Sequence, residues 1–154
     1  MYYIIKEIII FNPSQSDVRN FFFDIIEKSQ LGTPLTDLEK IAYSVILEHP
    51  EYKSVLNNRT KYIDYQWPIE NGETNPFLHL SMHMTILEQL SIDQPIGIKG
   101  LYNELCSHFK DQRHLASHEL MDCLGEMLWQ AQSNRIAPDM QIYFNCINQK
   151  LGKN

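Results

Sequence analysis

Positive charge is the first thing in short supply: 13 lysines and arginines stand against 19 aspartates and glutamates, a formal net charge of −6 at pH 7. The basic residues are scattered, so no phosphate-neutralising surface can be assembled, and nucleic acid is not an expected partner. Long apolar runs are missing too. None reaches the roughly 20 residues a bilayer-crossing helix needs, so no membrane role is expected. There is no glycine-rich phosphate loop and no G-x-S-x-G elbow, which removes the commonest nucleotide-binding and hydrolase signatures. Cysteine is sparse. Cys106, Cys123 and Cys146 form an odd set with wide spacings and no C-x-x-C, as expected of reduced, buried small side chains in a cytoplasmic protein.

What is present is ordinary globular composition, 44% hydrophobic and 21% charged over 154 residues, enough for one domain with a real core. The opening "MYYIIKEIIIF" has only Lys6 for positive charge, is interrupted by Glu7 and lacks a small-residue cleavage site, so it does not read as a signal peptide. Residues 1–10 are an N-terminal extension and residues 11–151 a single helical domain.

Punctuation falls where helices would start and stop. "VRNFFFDIIEKSQLG" repeats apolar residues at helical spacing and ends at Gly32. Thr36 followed by Glu39 has capping-box form and opens a helix running toward Pro50. Pro76, preceded by Asn75, suits the first turn of a third helix reaching about Asp93. "IKGLYNELCSHF", "QRHLASHELMDCLGEMLWQAQSN" and "DMQIYFNCINQKL" supply the rest. The expected fold is all-α, a single compact bundle of five to six helices with a long ordered loop around residues 57–75. Tyr62, Tyr65 and Trp67 in that loop either brace the bundle or cover a site.

The histidines carry the chemistry. His79 and His83 lie four apart, about 40° from each other around the third helix, on the same side as Leu87 and Leu90. Ser81, Thr85 and Glu88 take the opposite side, which makes it the outside of the helix. A buried imidazole needs a partner for each ring nitrogen, and an i, i+4 pair is also how one helix presents two metal ligands. On the fifth helix His118, Asp122 and Glu126 form a stripe at i, i+4 and i+8. Trp129 within that stripe points to a covered rather than solvated face. His79, His83, His118, Asp122 and Glu126 are therefore the candidate ligands, drawn from two core helices, for a transition metal: zinc, iron or manganese, or else none. The E-x-x-H pairs of di-iron bundles are absent. His49 and His108, near helix ends, are expected to meet terminal carbonyls or solvent and stay outside the site.

The stretches "FNPS", "FFFD", "LEHPEY", "ETNPFLHLSMHMTILEQLSIDQPIGIKGLY" and "HELMDCLGEMLWQAQ" resemble the small bacterial family of domain of unknown function 1841, over about residues 11 to 151. The resemblance implies a bacterial, cytoplasmic protein and no particular chemistry. Family sequences begin near Phe11, which makes residues 1–10 an addition, and usually carry Glu at the position of Asp122. Two functions follow: a transition-metal protein using these histidines and carboxylates, or a non-catalytic helical interaction or dimerisation module, with a homodimer allowed, whose histidines only order its interior.

Overall fold

The structure is a computed structural model and describes residues 15–68 and 74–153, so the N-terminal extension and residues 69–73 of the long loop lie outside it. The α-helices are α1 (Gln15–Leu31), α2 (Asp37–Leu47), α3 (Lys53–Leu56), α4 (Arg59–Tyr62), α5 (Pro76–Ile92), α6 (Ile98–His108), α7 (Arg113–Asn134) and α8 (Met140–Lys150), with a 3₁₀ turn at Pro50–Tyr52. No strand occurs among the described residues. Among the described residues the expected five to six helices become eight because α3 and α4 are single turns, too short to show a period. Asn58 starts the second of them by accepting from the Lys61 amide at 3.2 Å. None of the described helices is long and apolar enough to cross a membrane.

The chain gathers into two compact units, Met1–Thr85 and Ile86–Asn154, the division falling inside α5. In the first unit Phe22, Phe23 and Ile25 of α1 meet Ala42, Val45 and Ile46 of α2, Leu56 of α3, and Phe77 and Leu80 of α5. The capping box at Thr36 is formed: its hydroxyl accepts from the Glu39 amide and the Glu39 carboxylate accepts from the Thr36 amide. That carboxylate also holds Lys28 at 2.5 Å. The lysine contact, more than the Thr36 amide, keeps its pKa below the usual carboxylate value.

The outside expected for α5 is not there. Ser81, Thr85 and Glu88 are buried, while Leu78 and Leu87 are exposed. Two of the polar side chains tolerate burial by bonding backwards along the helix, Ser81 to the Phe77 carbonyl at 2.7 Å and Thr85 to the Ser81 carbonyl at 3.0 Å. Hydroxyls that satisfy themselves in this way look polar to a periodicity argument and behave as small core residues.

One cation organises the far side of the first unit. Arg19 is 2% exposed. Its Nη1 is shared among the carbonyls of Tyr62 (3.0 Å), Ile63 (2.8 Å) and Tyr65 (2.8 Å). Its guanidinium carbon lies 5.0 Å from the centre of the Trp67 ring and 5.5 Å from that of Phe77. Tyr62, Tyr65 and Trp67 pack on one another, and Trp67 packs edge-on to Phe77. This is bracing of the core.

In the second unit α7 buries Ala116, Leu120, Cys123, Leu124 and Met127, and α8 buries Tyr143 and Ile147. The Tyr143 hydroxyl donates to Gln89 Oε1 at 2.9 Å, and burial holds that phenol well above the ordinary tyrosine range. The expectation of reduced cysteines fails for two of the three. Cys123 of α7 and Cys146 of α8 are joined as a disulfide, their Cα atoms 5.5 Å apart, while Cys106 is free and buried. A separation of 23 residues carries no pairing signal in sequence. It becomes one only when the turn between the two helices folds them side by side, and with it goes the cysteine argument for a cytoplasmic setting.

Two consequences can be measured. Arg19→Ala leaves buried carbonyls without a donor and should cost about 3 kcal/mol in urea denaturation, with Arg19→Lys recovering only part, since an ammonium lacks the planar face that packs on Trp67 and Phe77. Reducing the disulfide, or replacing both cysteines by serine, should lower stability by about 3 kcal/mol from the loop it closes. An unchanged unfolding midpoint in excess dithiothreitol would count against the link.

Candidate metal centre

Three imidazoles meet in the first unit. α5 starts where Asn75 Oδ1 accepts from the Phe77 and Leu78 amides at 3.0 and 3.3 Å, and this cap sets the phase of the helix. Four and eight residues on, His79 is half-buried and His83 is 5% exposed. Their ring centres are 4.9 Å apart.

The third ring comes from the end of α2. Ala42, Val45 and Ile46 are the buried positions there, and His49 continues their face one turn further on, 1% exposed. Pro50 follows and opens the 3₁₀ turn, so the helix stops. The stop leaves terminal carbonyls to be satisfied, and His49 Nδ1 lies 2.8 Å from the Val45 carbonyl oxygen. A carbonyl can only accept, so Nδ1 carries the proton and donates. In the neutral ring Nε2 is then the acceptor.

That Nε2 lies 3.1 Å from Nε2 of His79. Two lone pairs cannot face each other at this distance. Either one of the two Nε2 atoms carries a proton and donates it to the other, or a cation lies between them. Bonds of about 2.1 Å to a common ion place neighbouring ligands roughly 3.0–3.4 Å apart, and the observed separation falls inside that range. His49 is 4.6 Å, centre to centre, from His83 and 4.8 Å from His79. Tyr52 stacks on His49 at 5.5 Å with planes 4° apart. Burial, and next the neighbouring Glu51, push its phenol pKa up, so it stays a neutral ring against the imidazole.

Taken together, His49, His79 and His83 each offer a ring nitrogen within 4.8 Å of the others, and the set could hold a metal ion. In a tetrahedral site neighbouring ligands stand about 3.4 Å apart, so binding would draw the widest pair in by about 1 Å. A donor to a carbonyl on the far ring nitrogen, as His49 has, is the usual support of a metal-bound imidazole, because it fixes tautomer and ring orientation.

Of the residues expected from sequence, His79 and His83 are in this group, while His118 belongs to the second unit. Asp122 and Glu126 are not in the group either. The Asp122 side chain is 72% exposed and lies 3.4 Å from Lys150 Nζ, which also pairs with Glu119. Glu126 is exposed and accepts from Gln130 Nε2 at 3.1 Å. Trp129, taken as the mark of a covered stripe, is 67% exposed. His49 was set aside as a helix-end residue. Its ring does meet a terminal carbonyl, but its second nitrogen joins the cluster. The signal was present in the spacing Ala42, Val45, Ile46, His49, which carries the apolar face of α2 through to the imidazole.

In metal-free protein at neutral pH, long-range nitrogen–proton NMR should show His49 as the Nδ1–H tautomer. Finding the proton on Nε2 would contradict the Val45 hydrogen bond.

No curated protein and no solved structure matches the chain. The family model described as domain of unknown function (DUF1841) matches residues 14–149, and the chain belongs to that family.

Proposed function

We propose that the protein binds one transition-metal ion through imidazole nitrogens, with His49, His79 and His83 as ligands. The observation that carries this reading is the 3.1 Å approach of His49 Nε2 and His79 Nε2 beside a third ring, with Nδ1 of His49 already committed to a carbonyl. An all-nitrogen set suits zinc or iron. Manganese favours carboxylate and water ligands, and Asp122 and Glu126 have other partners. Zinc held by these three imidazoles would keep a fourth position for water or another ligand. Iron, with a larger coordination number, would keep positions for water or a substrate and act as a redox or Lewis-acid centre.

The rival is a hydrogen-bonded polar core in a helical interaction or dimerisation module. The same nitrogens then hold a proton where the ion would be.

Elemental mass spectrometry on tag-free protein separates the two. Wild type should carry about one zinc or iron per chain, lost in a His79→Ala, His83→Ala double variant and lowered by His49→Ala. A chelator should lower the melting temperature of wild type and leave the double variant unmoved. Binding should weaken as the pH falls, because protons compete for the same lone pairs. A folded protein that takes up no metal after supplementation with zinc, iron and manganese would reject the site. A melting temperature that then rises with protein concentration would favour the dimerisation module.

A further inference from the structure

Beside His49, within the first unit, α1, α2, α3 and the turn between the last two line a half-open cavity of about 320 Å³. Ile26, Ile46 and Leu56 give it an apolar wall, and His49 is one of its lining residues. Most polar groups at its rim are spent on one another. Gln30 Nε2 donates to Asn57 Oδ1 at 2.7 Å, Asn57 Nδ2 donates to the Lys53 carbonyl at 2.7 Å, and the Ser29 hydroxyl donates to the Ile26 carbonyl at 2.8 Å.

Two lining groups differ. Lys53 and Tyr43 line the same space, and the ammonium of one and the hydroxyl of the other have no hydrogen-bond or ion-pair partner among the described residues. Leaving the histidine aside, Lys53 is the charged group of the lining. One cation and one hydroxyl beside an apolar wall suit a ligand with a single negative charge and a hydrocarbon body. A phosphate monoester, with up to two charges, would lack a second cation.

We propose that this cavity binds a small monocarboxylate, with the carboxylate at Lys53 and Tyr43 and a short alkyl chain or single aromatic ring against Ile26, Ile46 and Leu56. The volume lies at the small end of the range for small-molecule sites. The site needs no metal. Because His49 belongs to both the cavity lining and the histidine cluster, an ion at the cluster and a carboxylate in the cavity should alter each other's affinity by the same factor.

The test is calorimetric titration of the full, chelator-treated chain with hexanoate, compared with hexanamide, which keeps shape and loses charge. Wild type should bind hexanoate saturably and hexanamide about tenfold or more weakly. Lys53→Met, at an exposed position and checked for unchanged circular dichroism, should weaken hexanoate by a similar factor and leave hexanamide unmoved. Amide NMR shifts on adding hexanoate should centre on residues 26–30 and 43–57. Equal binding of acid and amide, no effect of Lys53→Met, shifts centred elsewhere, or no saturable binding would each overturn the proposal. Hexanoate binding to a chain that takes up no metal keeps the cavity and removes the metal centre. Metal uptake without hexanoate binding does the reverse.

Discussion

Each buried imidazole takes two ring nitrogens out of water, and leaving either without a partner costs on the order of 1–3 kcal/mol. That requirement governs the first unit. It is met for His49 by ending α2 at the right place: Pro50 stops the helix, the stop presents the Val45 carbonyl, and the ring folds back onto it. The Asn75 cap fixes where α5 begins and so which of its faces carries His79 and His83. The two helix ends together decide whether the rings meet. A shift of either terminus by one residue would rotate its imidazole by about 100°.

The same accounting runs through Arg19, with donor and acceptor exchanged. There the backbone of residues 62–65 presents carbonyls in a segment with little regular structure, and one guanidinium answers three of them. Its charge is shielded by the Trp67 and Phe77 rings instead of by a carboxylate in contact. The loop's order therefore depends on a residue of α1 more than forty positions earlier in the chain.

Much of this was legible in the sequence. The capping box at Thr36 and Glu39 and the start of α5 at Pro76 are local chemistry, readable from four or five residues, and both are formed. Spacing also put His79 and His83 on one side of α5. What escaped was either a matter of partners or of rotation. Ser81 and Thr85 were assigned to solvent because their polarity was counted without the carbonyl four residues back. Asp122 and Glu126 were enlisted because Trp129 was taken for a covered residue. A stripe on one helix cannot say which way it turns. The Cys123–Cys146 link needed two helices to be neighbours first. His49 was missed although the α2 pattern pointed to it, because proximity to a helix end was given more weight than phase.

The two tryptophans of the chain fall one in each unit. Trp67 is half-buried beside a guanidinium, and Trp129 is 67% exposed on α7. Each unit thus carries its own chromophore in a distinct environment, one apolar and cation-flanked, the other wet. Emission near the blue and red ends of the indole band reports different halves of the molecule without any added label. Loss of the Trp67 packing should shift the blue component toward the red, while the Trp129 component, already wet, should move little.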